Sequence, residues 1–99
     1  MKVTKTQTGD TTTLVVEGRL ETGTAPELET EINKVINGTK LLVLDFKQLD
    51  YVSSAGLRVL LTAQKTMTAR GGMMKIIHIN EVVREVFNIT GFTSILTIE

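Results

Sequence analysis

Ninety-nine residues, 41% of them hydrophobic, are enough for one packed domain and too few for two cores. Eleven basic and eleven acidic residues cancel, so no net field gathers nucleic acid or an anionic membrane surface, and a protein or a small ligand is the expected partner. Cysteine is absent, which excludes disulfides and thiolate metal sites; with no Trp, three Phe and one Tyr, the core must be aliphatic.

The chain opens Met1-Lys2-Val3-Thr4-Lys5-Thr6, without the apolar core of a signal peptide, and no apolar run approaches the length of a membrane span. A soluble, cytoplasmic protein is expected. Val3–Thr8 and Thr11–Leu20 are rich in Thr and Val and predict two strands, joined by a tight turn at Gly9-Asp10. Gly18 inside the second marks a bulge or a bend. Thr24–Ile36 predicts the first helix: Thr24 and Glu27 have capping-box spacing, Pro26 falls in the first turn, and Leu28, Ile32, Val35 and Ile36 repeat at helical spacing. Asn37-Gly38 stops it.

Leu41–Asp45 predicts a strand buried on both faces, as a central parallel strand is. Phe46–Val52 is then a loop, and Ser54–Arg70 a second helix, carried by Leu57, Leu60 and Leu61 and ended by Gly71-Gly72. Met73–Ile79 predicts a strand. Asn80 caps a third helix, Glu81–Thr90, with Val82, Val83, Val86 and Phe87 on its apolar side; Gly91 ends it, and Ser94–Ile98 is a last strand. The order is β-β-α-β-α-β-α-β. Alternation after the hairpin implies parallel pairing with right-handed crossovers, hence a single α/β domain over residues 1–99, with a mixed sheet of about five strands and helices packed against it.

A catalytic reading finds little support. The one histidine, His78, lies inside a strand pattern and reads as structural or exposed. Gly-x-Ser-x-Gly, Walker A and Gly-x-Gly-x-x-Gly are all absent. Asp45 and Asp50, one at a strand end and one in a loop, read as structural carboxylates rather than as a metal pair. Gly71-Gly72 follows a helix, so C-capping explains it better than phosphate binding. Met67, Met73 and Met74 either fill the core or form an adaptable surface. No base, nucleophile and oxyanion site can be assembled, so neither an enzyme nor a cofactor or metal is expected.

Ser53-Ser54, followed by Ala55-Gly56, lies where a buried strand empties through a loop onto a helix start. One reading is a plain N-cap. The other is a phosphorylation switch: a phosphate at the first turn of a helix meets free N–H groups and a partial positive charge, and Arg58, four residues after Ser54, lies on the same helix face. Modification then changes the sign of the surface and repels a partner docked on a neutral patch of Tyr51, Val52, Ala55 and Leu57.

Leu49–Leu61, Leu-Asp-Tyr-Val-Ser-Ser-Ala-Gly-Leu-Arg-Val-Leu-Leu, resembles the signature of STAS domains and, more narrowly, is similar to that of the bacterial anti-sigma factor antagonists (anti-anti-sigma factors). Gly18-Arg19-Leu20-Glu21 sits where the family has a Gly-x-Leu-Asp turn, Leu42-Val43-Leu44-Asp45 matches its central strand, and Gly71-Gly72 and Ile89-Thr90-Gly91-Phe92 match its later punctuation. The resemblance implies a STAS fold and a non-enzymatic phosphoprotein that regulates transcription by partner switching. In that scheme the unphosphorylated antagonist binds an anti-sigma factor with serine kinase activity and frees a sigma factor; phosphorylation ends the complex, and a PP2C-type phosphatase restores it. Matched on Gly56-Leu57, the acceptor is Ser54. Two departures stand out: Ser53 replaces the acid before the acceptor, which makes it an alternate acceptor, and Glu21 replaces the aspartate of the turn.

The implied partner surface comprises Glu21, Asp45, Asp50, Tyr51, Val52, Ser53, Ala55, Gly56, Leu57 and Arg58. A monomer is expected, with no nucleic acid and no direct membrane insertion. Many relatives carry a further C-terminal helix, so the final strand, or the sheet face beside it, is expected to be less covered here. Two other readings remain open: a non-phosphorylated STAS subunit of a membrane transporter or signalling complex, and a nucleotide or small-ligand module, for which no motif is present.

Overall fold

The computed structural model describes residues 1–99. Its elements are β1 Lys2–Thr8, β2 Thr11–Leu20, α1 Ala25–Val35, β3 Leu41–Asp45, β4 Leu49–Val52, α2 Ser54–Ala69, β5 Met73–Ile77 and α3 Glu81–Thr90, followed by a 3₁₀ turn at Phe92–Ser94. Gly9, at φ +60°, makes the turn that lets β1 fold back antiparallel on β2, from Thr8 opposite Thr11 to Lys2 opposite Glu17. β2 then pairs parallel with β3, and β3 parallel with β5, giving the sheet order β1-β2-β3-β5.

Strand alternation assigns the two faces. Leu14, Val16 and Leu20 of β2, Leu42 and Leu44 of β3, and Met74 and Ile76 of β5 are buried on one side. There they join Leu28 and Ile32 of α1, Leu57, Leu60, Ala63 and Met67 of α2, and Val83 and Phe87 of α3 in one aliphatic core. The other face is less covered: Thr11, Thr13, Val15 and Ile77 are half-buried and Met73 is exposed, although Val43, in the middle of the sheet, is buried. β3 is therefore the central strand that its apolar run predicts. At the α1 end of the core, the hydroxyls of Thr12 and Thr39 meet at 2.8 Å in full burial. Thr39 gives its proton to the Val35 carbonyl, so Thr12 is the donor of the pair.

The element order is β-β-α-β-β-α-β-α, which differs from expectation in two places. The segment Phe46–Val52 is not all loop: Leu49–Val52 forms β4, paired parallel with Gly18–Leu20. Ser94–Ile98 is not a strand of the sheet. Past the 3₁₀ turn it makes one rung beside β5, where Ile76 N–H donates to the Thr97 carbonyl and Glu99 N–H to the Ile76 carbonyl, both at 2.9 Å.

Local chemistry sets the remaining boundaries. β5 ends at Ile77, short of the expected Ile79, because His78 turns the chain at φ +62°. Asn80 Oδ1 accepts the Val83 N–H at 2.8 Å, and Gly91 at φ +79° closes the same helix, as expected for α3. The capping box of α1 does not form. Thr24 turns its hydroxyl back, accepting the Glu21 N–H at 2.9 Å and donating to the Arg19 carbonyl at 2.7 Å.

Candidate functional site

β2, β3, β4 and β5 point the same way, but their carboxyl ends form two levels: β3 and β5 end together at Asp45 and Ile77, and β2 and β4 end together, further on, at Leu20 and Val52. Carboxyl ends of strands are where α/β folds place their sites. β4 continues the line of β3 along β2. Thr11–Val15 face Leu41–Asp45, and Gly18–Leu20 face Leu49–Val52. Phe46–Gln48 form the intervening jog, and the register then shifts between Gly18 and Arg19, where Asp50 is the extra residue, with Gly18 at φ +105° and its N–H on the Gln48 carbonyl at 3.0 Å. A side chain rarely adopts that φ, so the bulge needs glycine.

The last rung of β4 joins Ser53 N–H to the Leu20 carbonyl at 2.8 Å, and the chain turns directly into α2. Ser53 holds the N-cap position, with extended backbone at φ −99° and ψ 176°, yet its hydroxyl makes no capping bond. Ser53 Oγ is hidden from solvent and has no partner. Ser54 is the first helical residue and is exposed, as is Arg58 one turn on. No acidic side chain occupies the first turn of α2, so the positive end of the helix is uncompensated.

Gly56 sets how closely α2 approaches the strands. A Cβ at this position would lie 2.6 Å from Leu20 Cγ and 2.9 Å from Val52 Cγ2.

Around this junction the side chains of Arg19, Glu21 and Tyr51 are tied to one another. Arg19 Nε donates to Glu21 Oε2 at 3.2 Å, and the guanidinium lies 4.7 Å from the centroid of the Tyr51 ring, its cross-strand neighbour. A cation over an aromatic face is favourable by about 0.5–1 kcal/mol at an exposed site. Arg19 and Thr24 join the candidate site without a sequence motif of their own; Gly18, before Arg19, is the one local signal of the bulge that places them.

A second polar cluster closes the ends of β3 and β5. Asp45 Oδ1 accepts the Lys47 N–H at 3.0 Å and lies 3.0 Å from His78 Nδ1. The Asp45 side chain is 11% exposed, while His78 stands 56% in solvent. Burial pushes the Asp45 carboxyl upward, but the Lys47 N–H, the His78 hydrogen bond and the charges of His78 and Lys47 together hold it below the usual carboxylate value. Next to it, Asn80 Nδ2 donates to the Leu49 carbonyl at 2.9 Å, tying α3 to β4.

The residues expected at the partner surface separate by burial. Asp50, Ser54 and Arg58 are exposed; Glu21, Tyr51, Ser53 and Ala55 are half-buried. Val52, Gly56 and Leu57 are core and offer no side-chain surface, and Asp45 is covered and engaged internally. The neutral patch therefore reduces to Tyr51 and Ala55, because alternation along β4 and the helical period of α2 turn Val52 and Leu57 inward. No helix is long and apolar enough to cross a membrane. No three His, Cys, Asp or Glu side chains are grouped to hold a metal ion.

The model of the STAS domain family matches residues 2–99. In sequence the chain is 36% identical over 99 residues to BtrV of Bordetella bronchiseptica, named as a candidate anti-sigma factor antagonist; the match covers 99% of this chain and 85% of that one. In structure it resembles a candidate anti-sigma factor antagonist of Thermotoga maritima, with a TM-score of 0.90 at 19% identity over 97% of this chain and 84% of the other. It also resembles the Bacillus cell fate determinant SpoIIAA in its phosphorylated form, with a TM-score of 0.77 at 17% identity over 99% of this chain and 91% of the other.

Proposed function

For a chain that belongs to the STAS domain family, and within it to the anti-sigma factor antagonists, we propose a binding protein switched by phosphorylation at Ser54. In the unmodified state the rim formed by Glu21, Asp50, Tyr51, Ser54, Ala55 and Arg58 docks on an anti-sigma factor with serine kinase activity, and a sigma factor is released. Transfer of a phosphoryl group from ATP to Ser54 Oγ, with loss of the hydroxyl proton, ends the complex. A PP2C-type phosphatase returns the protein to its binding form by hydrolysing the phosphoserine.

The observation that carries this reading is the contrast between the two serines. Ser54 is exposed at the first position of α2, whereas Ser53 Oγ is hidden. A kinase must bring its nucleotide into line with the acceptor oxygen, and only Ser54 gives it access. The product is tolerated there. A phosphoserine adds roughly −1.5 to −2 charges and three acceptor oxygens, part of which the unpaired N–H groups of the first turn can receive. Gly56, packed on Leu20 and Val52, keeps the helix start in place. The backbone therefore stays put while the rim, which is neutral with Arg19 counted beside Glu21, Asp50 and Arg58, turns negative, and a partner fitted to the neutral rim is repelled.

The test pairs Ser54→Ala and Ser53→Ala with the purified anti-sigma factor and ATP. Ser54→Ala should bind and should resist release by ATP. Ser53→Ala should bind and be released as the wild type is. Release of the Ser54→Ala complex by ATP would remove Ser54 from the mechanism.

A further inference from the structure

We propose that Arg19 is the residue that receives the phosphate: on modification of Ser54 its guanidinium leaves Glu21 and the Tyr51 ring and pairs with the phosphoryl oxygens. The inference rests on Ser54 being the modified residue and adds the group that governs the energy of the modified state.

Geometry leads to Arg19. The Leu20 carbonyl accepts the Ser53 N–H at 2.8 Å. The register of β2 and β4, Arg19 opposite Tyr51 and Leu20 opposite Val52, carries on to Glu21 opposite Ser53, one residue before Ser54. A dianion on Ser54 then arises one residue along from the strand neighbour of Glu21, an unfavourable approach to its carboxylate unless a cation adjusts. The cation at hand is Arg19, which already holds Glu21 through Nε at 3.2 Å. That single bond leaves both Nη groups without a hydrogen-bond partner, in a side chain 57% exposed and free to turn. Thr24 pins the backbone beneath it by donating to the Arg19 carbonyl at 2.7 Å. The strand end stays fixed, and the side chain alone has to move.

Chemistry favours the exchange. Guanidinium presents a planar fork that suits phosphate in a two-bond contact, and such charge-assisted pairs are roughly twice as strong as neutral hydrogen bonds. Its existing contacts are one exposed carboxylate bond and one exposed ring contact, each weak. Arg58 approaches Ser54 from the helix side and, unlike Arg19, has no link to Glu21. Arg19 is the one that removes the carboxylate conflict as it binds.

The molecule carries its own reporter, since Tyr51 is the sole tyrosine and tryptophan is absent. The experiment uses the full chain with phosphoserine installed at position 54 during synthesis, so no kinase is needed. Phosphorus NMR across pH reads the second dissociation of the phosphate, ordinarily near pH 6, and tyrosine fluorescence and ring proton shifts read Arg19. In the wild-type chain the phosphate should titrate below the ordinary value, and the Tyr51 signals should change on phosphorylation.

Arg19→Gln should raise the phosphate titration by about half a unit or more and abolish the phosphorylation-dependent change at Tyr51. Arg19→Lys should restore part of the titration shift, and Glu21→Gln should lower the titration. Circular dichroism of each variant checks its fold. A phosphate titration unmoved by Arg19→Gln, or one moved only by Arg58→Gln, overturns the assignment. Failure here counts against Arg19 and leaves the acceptor untouched. Failure of Ser54 as acceptor appears separately, in the release of the Ser54→Ala complex by ATP.

Discussion

Replacing Gly56 by alanine sets two effects of known sign against each other. Alanine is the better helix former by about 1 kcal/mol, so on an open helix surface the change would stabilise. Here the new methyl carbon would lie 2.6 Å from Leu20 Cγ, 2.9 Å from Val52 Cγ2 and 3.0 Å from Leu20 Cδ2. Comfortable carbon contacts begin at about 3.5 Å. Neither neighbour can turn aside, because Leu20 and Val52 are fully buried and sit in the strands that α2 covers. Overpacking of this kind costs about 1–3 kcal/mol, and clashes with two immobile side chains place Gly56 at the upper end of that range. The net effect is a loss of about 1–2 kcal/mol, which in a domain of this size lowers Tm by the order of 5–10 °C. Urea unfolding followed by circular dichroism measures it, and the slope should stay unchanged while the midpoint falls. Relief of the clash lifts the first turn of α2 off the strands, so phosphorylation of Ser54 should also slow. A variant as stable as the parent, or more so, would show that α2 does not rest on Leu20 and Val52 as described.

Ser53→Ala should be close to neutral, within about 0.5 kcal/mol, although the same change at an N-cap ordinarily costs about 1 kcal/mol; here the hydroxyl makes no capping bond and has no partner to lose. A measured loss above about 1 kcal/mol in urea unfolding would mean that Ser53 Oγ does cap α2. Asp45 supplies the pH test. Its carboxyl is held below its ordinary value of 3.8, so the ionised form contributes stability that is complete above that value and is lost as the pH falls through the lower folded-state value. Unfolding midpoints collected from neutral pH down through about pH 3 should decline for the wild type and decline less steeply for Asp45→Asn. Superimposable profiles would remove Asp45 from the acid limb.

Where a pattern repeats within one element, the sequence is legible. Leu28, Ile32 and Leu57, Leu60 mark the buried faces of two helices, and Asn80 and Gly91 mark the ends of a third. β4 escaped notice for a physical reason. It is four residues long, follows the polar pair Lys47-Gln48, and exists because Gly18–Leu20, some thirty positions earlier, has a free flank. Ser94–Ile98 has the alternation of a strand, but a single rung is all it makes beside β5, so the pattern overstated the pairing. At the site, the exposure of Ser54 follows from its place at the head of α2. The inward turn of Val52 and Leu57 is implicit in the same periods that identified the elements. The clasp of Arg19 on Glu21 and Tyr51 depends on a bulge and a cross-strand contact, which no local window contains.

Alternation along the rim separates the residues that the fold needs from those that a partner would meet. Leu49, Val52, Gly56 and Leu57 are anchored in the core, while Asp50, Ser54 and Arg58 between them stand in solvent. Exposed positions of this sort usually change stability by less than about 0.5 kcal/mol when substituted. Asp50 and Arg58 can therefore change at little cost to the fold, while Ser54 is held by its proposed role as acceptor and the buried set holds the frame. A change of the surface that a partner would meet then costs the fold almost nothing, and specificity can rest on a few exposed positions over a fixed frame.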